Sequence, residues 1–306
     1  MRVAVIQDSA SKPEYEKVLK SFAMGVNKFG DTAEMVQSRE HKNYDCSIIF
    51  GSYKRERGRK AHKGKGIIFD SGQNYVQLET QLIGRPITKH IHNEFRVGVN
   101  GFLWDQARWG FEFIQGDRSK KVFERNGYTT NINWNNNGEY ILICMQKVGD
   151  ASLRGADIFD WTYRTVEEIR KYTKRKIIIR PHPLYRKNSK HEELKETLKQ
   201  FVAVEWQDND LTKNTWIPIT EQIKNAWCVV TFSSGAGIDA VLNGIPTIAC
   251  DPGSMVYEVT SHSLNRIESP YCGDIKTWAN KIAYCQWNID EFESGECWQH
   301  VRKSIT

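Results

Sequence analysis

The sequence predicts an α/β protein built from two Rossmann-like domains that face each other across a cleft. Short apolar runs rich in β-branched residues alternate with amphipathic segments along most of the 306 residues. This is the pattern of parallel sheets covered by helices. A polar cluster at residues 133–138 interrupts the pattern near its middle and is interpreted as a linker. We therefore predict one domain over 1–137, a second over 138–275, and C-terminal helices over 276–306 that are candidates to cross back to the first.

The first domain is predicted to open with a β-α unit. A strand at 2–6 precedes a helix that begins near Pro13, with Ser11 and Glu14 as a capping box. Further strands are predicted at 32–36, 46–50 and 66–69. The segment 54–65 is predicted to be a loop, and 73–137 shows too little periodicity for assignment.

The second domain repeats the alternation of strands and helices. Its predicted strands are 140–145, 176–179, 201–204, 228–232 and 246–250. Helices are predicted along 158–172, near 221–226 and at 238–242, and a short strand at 265–267 precedes Trp-rich C-terminal helices.

A basic segment, residues 54–65, accounts for the whole positive surplus of the chain. Lys and Arg outnumber Asp and Glu by six in the full sequence, 43 against 37, and this segment has seven cations beside Glu56. We expect it to lie along a polyanion; a solvated, mobile loop is the alternative. The cations are Lys54, Arg55, Arg57, Arg59, Lys60, Lys63 and Lys65.

Two strand ends in the second domain carry residues suited to phosphate. After the strand 228–232, the turn Ser233-Ser234-Gly235 opens a helix, and hydroxyl and backbone N–H donors there fit an anion. A tight turn with Ser as N-cap is the structural alternative. After the strand 176–179, prolines fix Arg180 and His182, which can bind phosphate or form a rigid corner.

Several classes of protein are disfavoured by the sequence. No run reaches the roughly 18 apolar residues of a membrane span, and the start lacks a signal peptide, so we expect a cytoplasmic protein without a membrane partner. Seven scattered cysteines suggest reduced thiols. Neither G-x-G-x-x-G nor G-x-S-x-G is present at a telling position. His90 with His92, and Asp208 with Asp210, are weak metal candidates, so we predict no metal and no cofactor.

Strings along the chain resemble known glycosyltransferases. R-P-H-P followed by T-F-S-S-G-A-G-I-D-A-V-L-N-G-I-P resembles capsule-polysaccharide and Kdo-transferase-like enzymes of the GT-B class. More closely, F-G-S-Y-K, E-I-R-K-Y-T, R-P-H-P-L, K-N-A-W-x-V-V-T-F, G-I-D-A-V-L-N-G-I-P and A-Y-C-Q-W resemble phage glycosyltransferases that modify hydroxymethylated pyrimidines in viral DNA. The resemblance implies a GT-B fold in the host cytoplasm, with a UDP-sugar, UDP-glucose first, as co-substrate and 5-hydroxymethylcytosine in double-stranded DNA as acceptor.

The resemblance also implies roles for individual residues. The donor would be held by Arg180, Ser233, Ser234, the amides of Gly235 to Gly237, Asp239, Gln146, Asp150 and Ser152. His182 would neutralise charge on the leaving diphosphate. The base that takes the acceptor proton would be Asp70, with Asp8 second, although either could be a turn-forming Asp.

The acceptor would reach the site by leaving the duplex, because a stacked base is out of reach of such a site. Tyr53 would stack on the extruded base, or else form a wall of the sheet, while the basic segment would grip phosphates. Two alternative hypotheses on the function remain. The chain could be a nucleotide-sugar epimerase or saccharide transferase, or it could be a non-catalytic DNA-binding module. Charge reversal in the basic segment would separate them.

Overall fold

The computed structural model describes residues 1–54, 60–85, 93–135, 137–184, 189–208 and 215–305, except the side chains of Lys60 and Ala61. The chain divides into two compact units. Unit 1 comprises Met1–Tyr128 and Ala279–Thr306, and unit 2 comprises Thr129–Trp278. The divisions thus fall at 128/129 and 278/279, where the sequence analysis puts them at 137/138 and 275/276.

Unit 1 contains a six-stranded mixed sheet in the order β2-β1-β3-β4-β5-β11. The strands are β1 (Arg2–Ile6), β2 (Thr32–Val36), β3 (Cys46–Phe50), β4 (Tyr75–Thr80), β5 (Glu94–Val99) and β11 (Gln286–Asn288). The first four are parallel, β5 runs antiparallel to β4, and β11 runs antiparallel to β5. All five residues of β3 are buried, as a central strand covered on both faces requires.

The helices of unit 1 come from both the N-terminal part and the C-terminal part of the chain. They are α1 (Pro13–Lys28), α2 (Lys60–Ser71), α3 (Ser119–Arg125), α9 (Ile289–Glu293) and α10 (Glu296–Val301). The C-terminal helices pack on α1, where the rings of Phe22 and Phe292 lie 5.0 Å apart and Trp298 Nε1 donates to Asp31 at 2.8 Å. The last part of the chain therefore completes the core of unit 1.

Two expectations for unit 1 are wrong, and one segment without an assignment proves to be structured. Residues 66–69, predicted as a strand, lie inside α2, so the end of the predicted loop 54–65 is helical as well. The predicted capping box is absent, because Lys12 is the N-cap of α1 and its side chain makes no cap hydrogen bond. Residues 73–137, left unassigned, contain β4, β5 and α3.

Unit 2 contains a five-stranded sheet in the order β8-β7-β6-β9-β10, and every pair in it is parallel. The strands are β6 (Tyr140–Cys144), β7 (Lys176–Arg180), β8 (Val204–Trp206), β9 (Ala226–Thr231) and β10 (Thr247–Ala249). The helices are α4 (Ile158–Ile169), α5 (Ser189–Leu198), α6 (Ile219–Gln222), α7 (Ala236–Leu242) and α8 (Ile275–Tyr284), the last of which continues into unit 1. Apolar clusters cover both sheet faces.

Most elements of unit 2 lie where the sequence predicts them, but α5 was not predicted and three predicted elements differ. The strand predicted at 201–204 is shifted to β8. The helix predicted at 221–226 is α6 followed by a 3-10 turn, Ile223–Asn225. Residues 265–267 form no strand, because Leu264–Arg266 is a 3-10 turn. Of the helices that the structure describes in either unit, not one has the length and apolar character needed to span a bilayer.

Candidate functional site

The carboxyl ends of three neighbouring strands in unit 2 bring the predicted donor-binding residues to one edge of the sheet. β6 is the central strand, and its last residue, Cys144, pairs with Arg180 of β7 and Thr231 of β9. Gln146, His182 and Ser233 follow these strand ends within two residues. Ligands of open parallel sheets bind outside the carboxyl ends of the strands. The residues that the sequence analysis assigned to the donor therefore follow strand ends at one edge of this sheet.

Gln146 joins two of these strand ends through its amide. Its Oε1 accepts a hydrogen bond from Ser233 N at 2.7 Å, and its Nε2 donates to Ser152 Oγ at 2.8 Å. Ser152 Oγ in turn donates to Asp150 Oδ1 at 2.7 Å, and Ser233 Oγ donates to the Ser152 carbonyl at 3.0 Å. Gln146 is buried. These side chains therefore fix the shape of the turn with bonds inside the protein.

The Ser233-Ser234-Gly235 turn has fewer open donors than the sequence suggests. Ser234 N donates to Thr231 Oγ1 at 2.9 Å, Ala236 N to Ser234 Oγ at 3.2 Å, and Gly237 N to the Ser234 carbonyl at 3.0 Å. Within the described ranges, the N–H of Gly235 has no protein acceptor. The expectation that all amides of Gly235 to Gly237 face a ligand is therefore wrong, and the Gly235 N–H and the Ser234 hydroxyl proton are the donors left.

His182 is half-exposed just past β7 and has a defined tautomer when neutral. Its Nδ1 accepts a hydrogen bond from Leu184 N at 3.1 Å. A neutral imidazole with an accepting Nδ1 carries its proton on Nε2. His182 can therefore donate from Nε2 to an oxyanion in either protonation state.

Arg180, predicted to bind the donor, is buried and uses its guanidinium inside unit 2. Nη1 donates to Gln222 Oε1 at 2.5 Å, and Nη2 donates to the Ile217 carbonyl at 2.8 Å. Burial lowers the pKa of Arg180, while the charge of Asp239 acts to raise it. Asp239, predicted to bind a ribose, is itself buried in the first turn of α7. Both charged residues therefore belong to the interior. For Arg180 the reason is the alternation of side chains along β7, which directs it to the same sheet face as Ile178.

Asp70, predicted as the base, does not end a strand. It lies on the exposed surface near the end of α2, which leads from the carboxyl end of β3 to the start of β4. In a parallel crossover this helix end lies at the amino-terminal edge of the sheet, opposite to the ligand-binding edge. The prediction that places Asp70 beside the acceptor is wrong.

Asp8, the second candidate base, lies at the carboxyl end of β1. Its Oδ1 accepts from Ser38 N at 2.8 Å and its Oδ2 accepts from Ser38 Oγ at 2.7 Å. A Cβ on Gly64 of α2 would lie 2.7 Å from Asp8 Oδ2. The carboxylate is therefore held in one orientation, and each oxygen retains a lone pair.

The basic segment is divided by the structure. Arg55, Arg57 and Arg59, and the side chain of Lys60, lie outside the described residues. Lys63 is exposed, as a phosphate contact requires, and the backbone N of Lys54 donates to His62 Nδ1 at 3.3 Å.

Two residues assigned to DNA pack against other parts of unit 1 instead. The Tyr53 ring packs on Phe69, with the ring centroids 5.2 Å apart, and Gly66 of α2 lies against its hydroxyl. This supports the alternative that Tyr53 is a wall of the sheet. Lys65 is only 4% exposed, so it is not the surface cation that the sequence analysis expected.

Metal ligands are sparse in the described part of the chain. No group of three or more His, Cys, Asp or Glu side chains there is arranged to hold an ion. His90, His92 and Asp210 lie outside the described residues.

Comparison with known proteins gives a fold. No protein-family model and no curated protein matches the sequence. Among solved structures, a β-Kdo 2,4 transferase, KpsC of Thermosulfurimonas dismutans, matches 94% of this chain and 92% of its own with 13% identity and a TM-score of 0.55. A β-Kdo 2,7 transferase, also KpsC of that organism, matches 96% and 98% with 14% identity and a TM-score of 0.54. The fold is GT-B-like.

Within this GT-B-like chain, sequence reasoning missed three residues that hold polar groups near strand ends, two in unit 2 and one in unit 1. Gln222 holds Arg180, Thr231 accepts the Ser234 amide, and Glu79 accepts Ser52 N at 2.5 Å. The sequence could have identified Thr231, because a hydroxyl at the end of an otherwise apolar strand needs a hydrogen-bond partner. The partners of Gln222 and Glu79 are distant in sequence or depend on the register of neighbouring strands, so no local pattern identifies them.

Proposed function

We propose that this chain is a glycosyltransferase that takes its sugar from a nucleotide-sugar donor, whose diphosphate binds at the carboxyl edge of unit 2. One observation carries the proposal: His182, with its Nε2 proton set by the Leu184 amide, shares this sheet edge with the open donors of Ser234 and Gly235. The Ser234 hydroxyl and the Gly235 N–H, at the end of parallel strands, suit a phosphate.

The chemistry follows from these donors. The acceptor hydroxyl oxygen forms a bond to the anomeric carbon of the sugar, and the bond from that carbon to the diphosphate oxygen breaks with its electron pair. Negative charge therefore grows on the leaving diphosphate. Donors fixed before the reaction stabilise that charge without reorganising. His182 Nε2, the Ser234 hydroxyl and the Gly235 N–H would supply this stabilisation.

The acceptor would bind in unit 1, with Asp8 as the base. A direct displacement releases the acceptor's hydroxyl proton, which a positioned carboxylate can take. Support for Asp8 is its place at the carboxyl end of β1 and its fixed orientation against Ser38. Asp70 is excluded from this role by its place on α2.

The specific form of the proposal is transfer of glucose from UDP-glucose to 5-hydroxymethylcytosine in double-stranded DNA. It is supported by the concentration of basic residues in one segment, of which Lys63 is exposed. Such a segment would bind backbone phosphates while the target base leaves the stack. A second candidate, transfer to a saccharide, is favoured by the fold likeness to two enzymes whose names describe Kdo transfer.

The test is mass spectrometry of nucleosides from DNA containing 5-hydroxymethylcytosine, incubated with the protein and a panel of UDP-sugars. Unmodified DNA is the control substrate, and hydroxymethyluracil DNA and saccharides are parallel acceptors. A hexose-sized mass gain on the modified base alone supports the DNA form. A gain only on a saccharide supports the second candidate, and no transfer to any acceptor contradicts the proposal.

His182→Ala tests the role of the donor edge. Loss of one hydrogen-bond donor to developing charge lowers kcat by about 100-fold or more. The matched control is His262→Ala, because His262 is also in unit 2 but stacks on Tyr257, with ring centroids 3.5 Å apart. Equal rates for both variants would contradict the assignment of His182.

A further inference from the structure

A Gly-Lys-Gly sequence in α2 places Lys65 against the strand ends of unit 1. Glycine inside a helix costs about 1 kcal/mol relative to Ala, and α2 contains two, Gly64 and Gly66. A Cβ on Gly64 would lie 2.7 Å from the Asp8 carboxylate, and one on Gly66 would lie 2.9 Å from the Tyr53 hydroxyl. Both glycines therefore allow close approach of the helix to the ends of β1 and β3.

The Lys65 ammonium ends at the carboxyl end of β3. Its Nζ lies 3.0 Å from where a Cβ on Gly51 would stand, and Gly51 has a φ of +84°, a conformation that favours glycine. The Nζ donates to the Ser52 carbonyl at 3.4 Å, which is long for a hydrogen bond. An ammonium has three donors. Across the residues that the structure describes, this is the only hydrogen bond of the Lys65 ammonium.

The neighbouring carboxylate does not complete the coordination of this ammonium. Both oxygens of Glu79 accept backbone N–H groups, Oε1 from Ser52 at 2.5 Å and Oε2 from Thr80 at 3.1 Å. Burial lowers the pKa of Lys65 to about 8, and the charge of Glu79 opposes this only in part. A buried charge with unmet donors is unfavourable until a counter-ion arrives.

We infer that Lys65 forms a binding site for one phosphate group at the carboxyl edge of the unit 1 sheet. The inference rests on the proposed function in one respect, namely that the phosphate belongs to the acceptor substrate. Phosphate is favoured over carboxylate because Lys65 belongs to the basic segment, whose other cations include the exposed Lys63. Lys65 thus differs from a surface lysine: it holds one phosphate in place and thereby positions the acceptor.

Competitive acetylation of the unmodified chain tests this site without any turnover. The protein is treated with trace acetic anhydride in inorganic phosphate, in acetate, or in chloride of equal ionic strength, and labelling is measured by peptide mass spectrometry. Lys63 is the internal control. At phosphate concentrations several times Kd, we expect labelling of Lys65 to fall about fivefold or more relative to Lys63.

Three results would overturn the inference. Equal labelling of Lys65 in phosphate and chloride would show that no phosphate binds there. Protection by acetate but not by phosphate would assign a different ligand class. A Lys65 that is unlabelled in chloride would be closed to a small reagent and so to phosphate. Because no sugar donor is present, failure of glycosyl transfer cannot produce any of these outcomes.

A pair of variants separates the buried site from general attraction to polyanions. Phosphate is expected to raise the thermal midpoint of the unmodified chain and of Lys63→Met, but not of Lys65→Met, which keeps the length of the side chain without its charge. Equal loss of the phosphate response in the two variants would overturn the inference in favour of a diffuse electrostatic effect. If Lys65→Met fails to fold, the labelling experiment on the unmodified chain still decides.

Discussion

The substitution Gly25→Ala distinguishes helix propensity from tertiary packing in unit 1. Gly25 lies inside α1, where alanine is intrinsically favoured by about 1 kcal/mol. In the folded chain, however, a Cβ at this position would lie 1.7 Å from the carbonyl oxygen of Phe292 in α9 and 3.0 Å from the Cα of Gly295. Propensity predicts a more stable protein, and packing predicts a less stable one.

The size of the effect follows from the displacement required. The Phe292 carbonyl oxygen must retreat by about 1.3 Å to reach even a 3.0 Å contact. This movement disturbs the Phe292 ring, which is buried and packs 5.0 Å from Phe22 and 5.9 Å from Phe95. Overpacking costs about 1 to 3 kcal/mol, and losing a buried Phe costs about 3 to 5. After the propensity gain, we expect a net loss of about 2 kcal/mol or more.

The assay is calorimetric unfolding of the full chain. A loss of this size lowers the midpoint of unit 1 by about 5 °C or more. Met24→Ala is the matched control, because Met24 is adjacent on α1 and is 49% exposed. A midpoint for Gly25→Ala that equals or exceeds that of the unmodified chain would refute the close packing of α9 on α1.

Three further predictions concern unit 2, a buried ion cluster and the thiols. Gln146→Glu keeps the acceptor for Ser233 N but loses both hydroxyl contacts of the amide nitrogen, at 2.8 and 3.3 Å. We therefore expect a loss of about 2 kcal/mol in the free energy of unfolding and weaker binding of the sugar donor. Unchanged donor affinity would count against the proposed diphosphate site. Burial alone would raise the pKa of Glu291, but Arg118 and its neighbours lower it to about 2, so its contribution of about 3 kcal/mol is present above pH 4.5 and lost as pH falls toward 2. Glu291→Gln should therefore lose that stability at pH 7 and flatten the acid limb of a urea-unfolding series, and an unaltered acid limb would contradict this. Cys272, the one exposed cysteine, should be the single thiol that dithionitrobenzoate modifies in the folded chain, and modification persisting in Cys272→Ser would disprove it.

The sequence by itself determined the fold class and the edge of unit 2 at which the candidate site lies. β1, β2 and β3 are found where they were predicted, because each is a short segment with apolar residues that ends at polar residues. The turn after β9 and the Pro-fixed corner after β7 could be predicted because they follow strands of the same kind. In parallel sheets, local burial patterns locate the strand ends, and the strand ends locate the site.

Only the tertiary structure decided which polar residues at these ends remain open to a ligand. Arg180 looked like a phosphate fork, but Gln222, 42 residues further on, takes one of its donors. Lys65 looked like one of seven surface cations until the Gly-Lys-Gly sequence proved to be a helix pressed against Asp8 and Tyr53. The two glycines of this helix allow close contacts with residues that lie elsewhere in the chain. Hydrophobic periodicity reports burial along one element, whereas the partner of a polar group is set by elements distant in the chain.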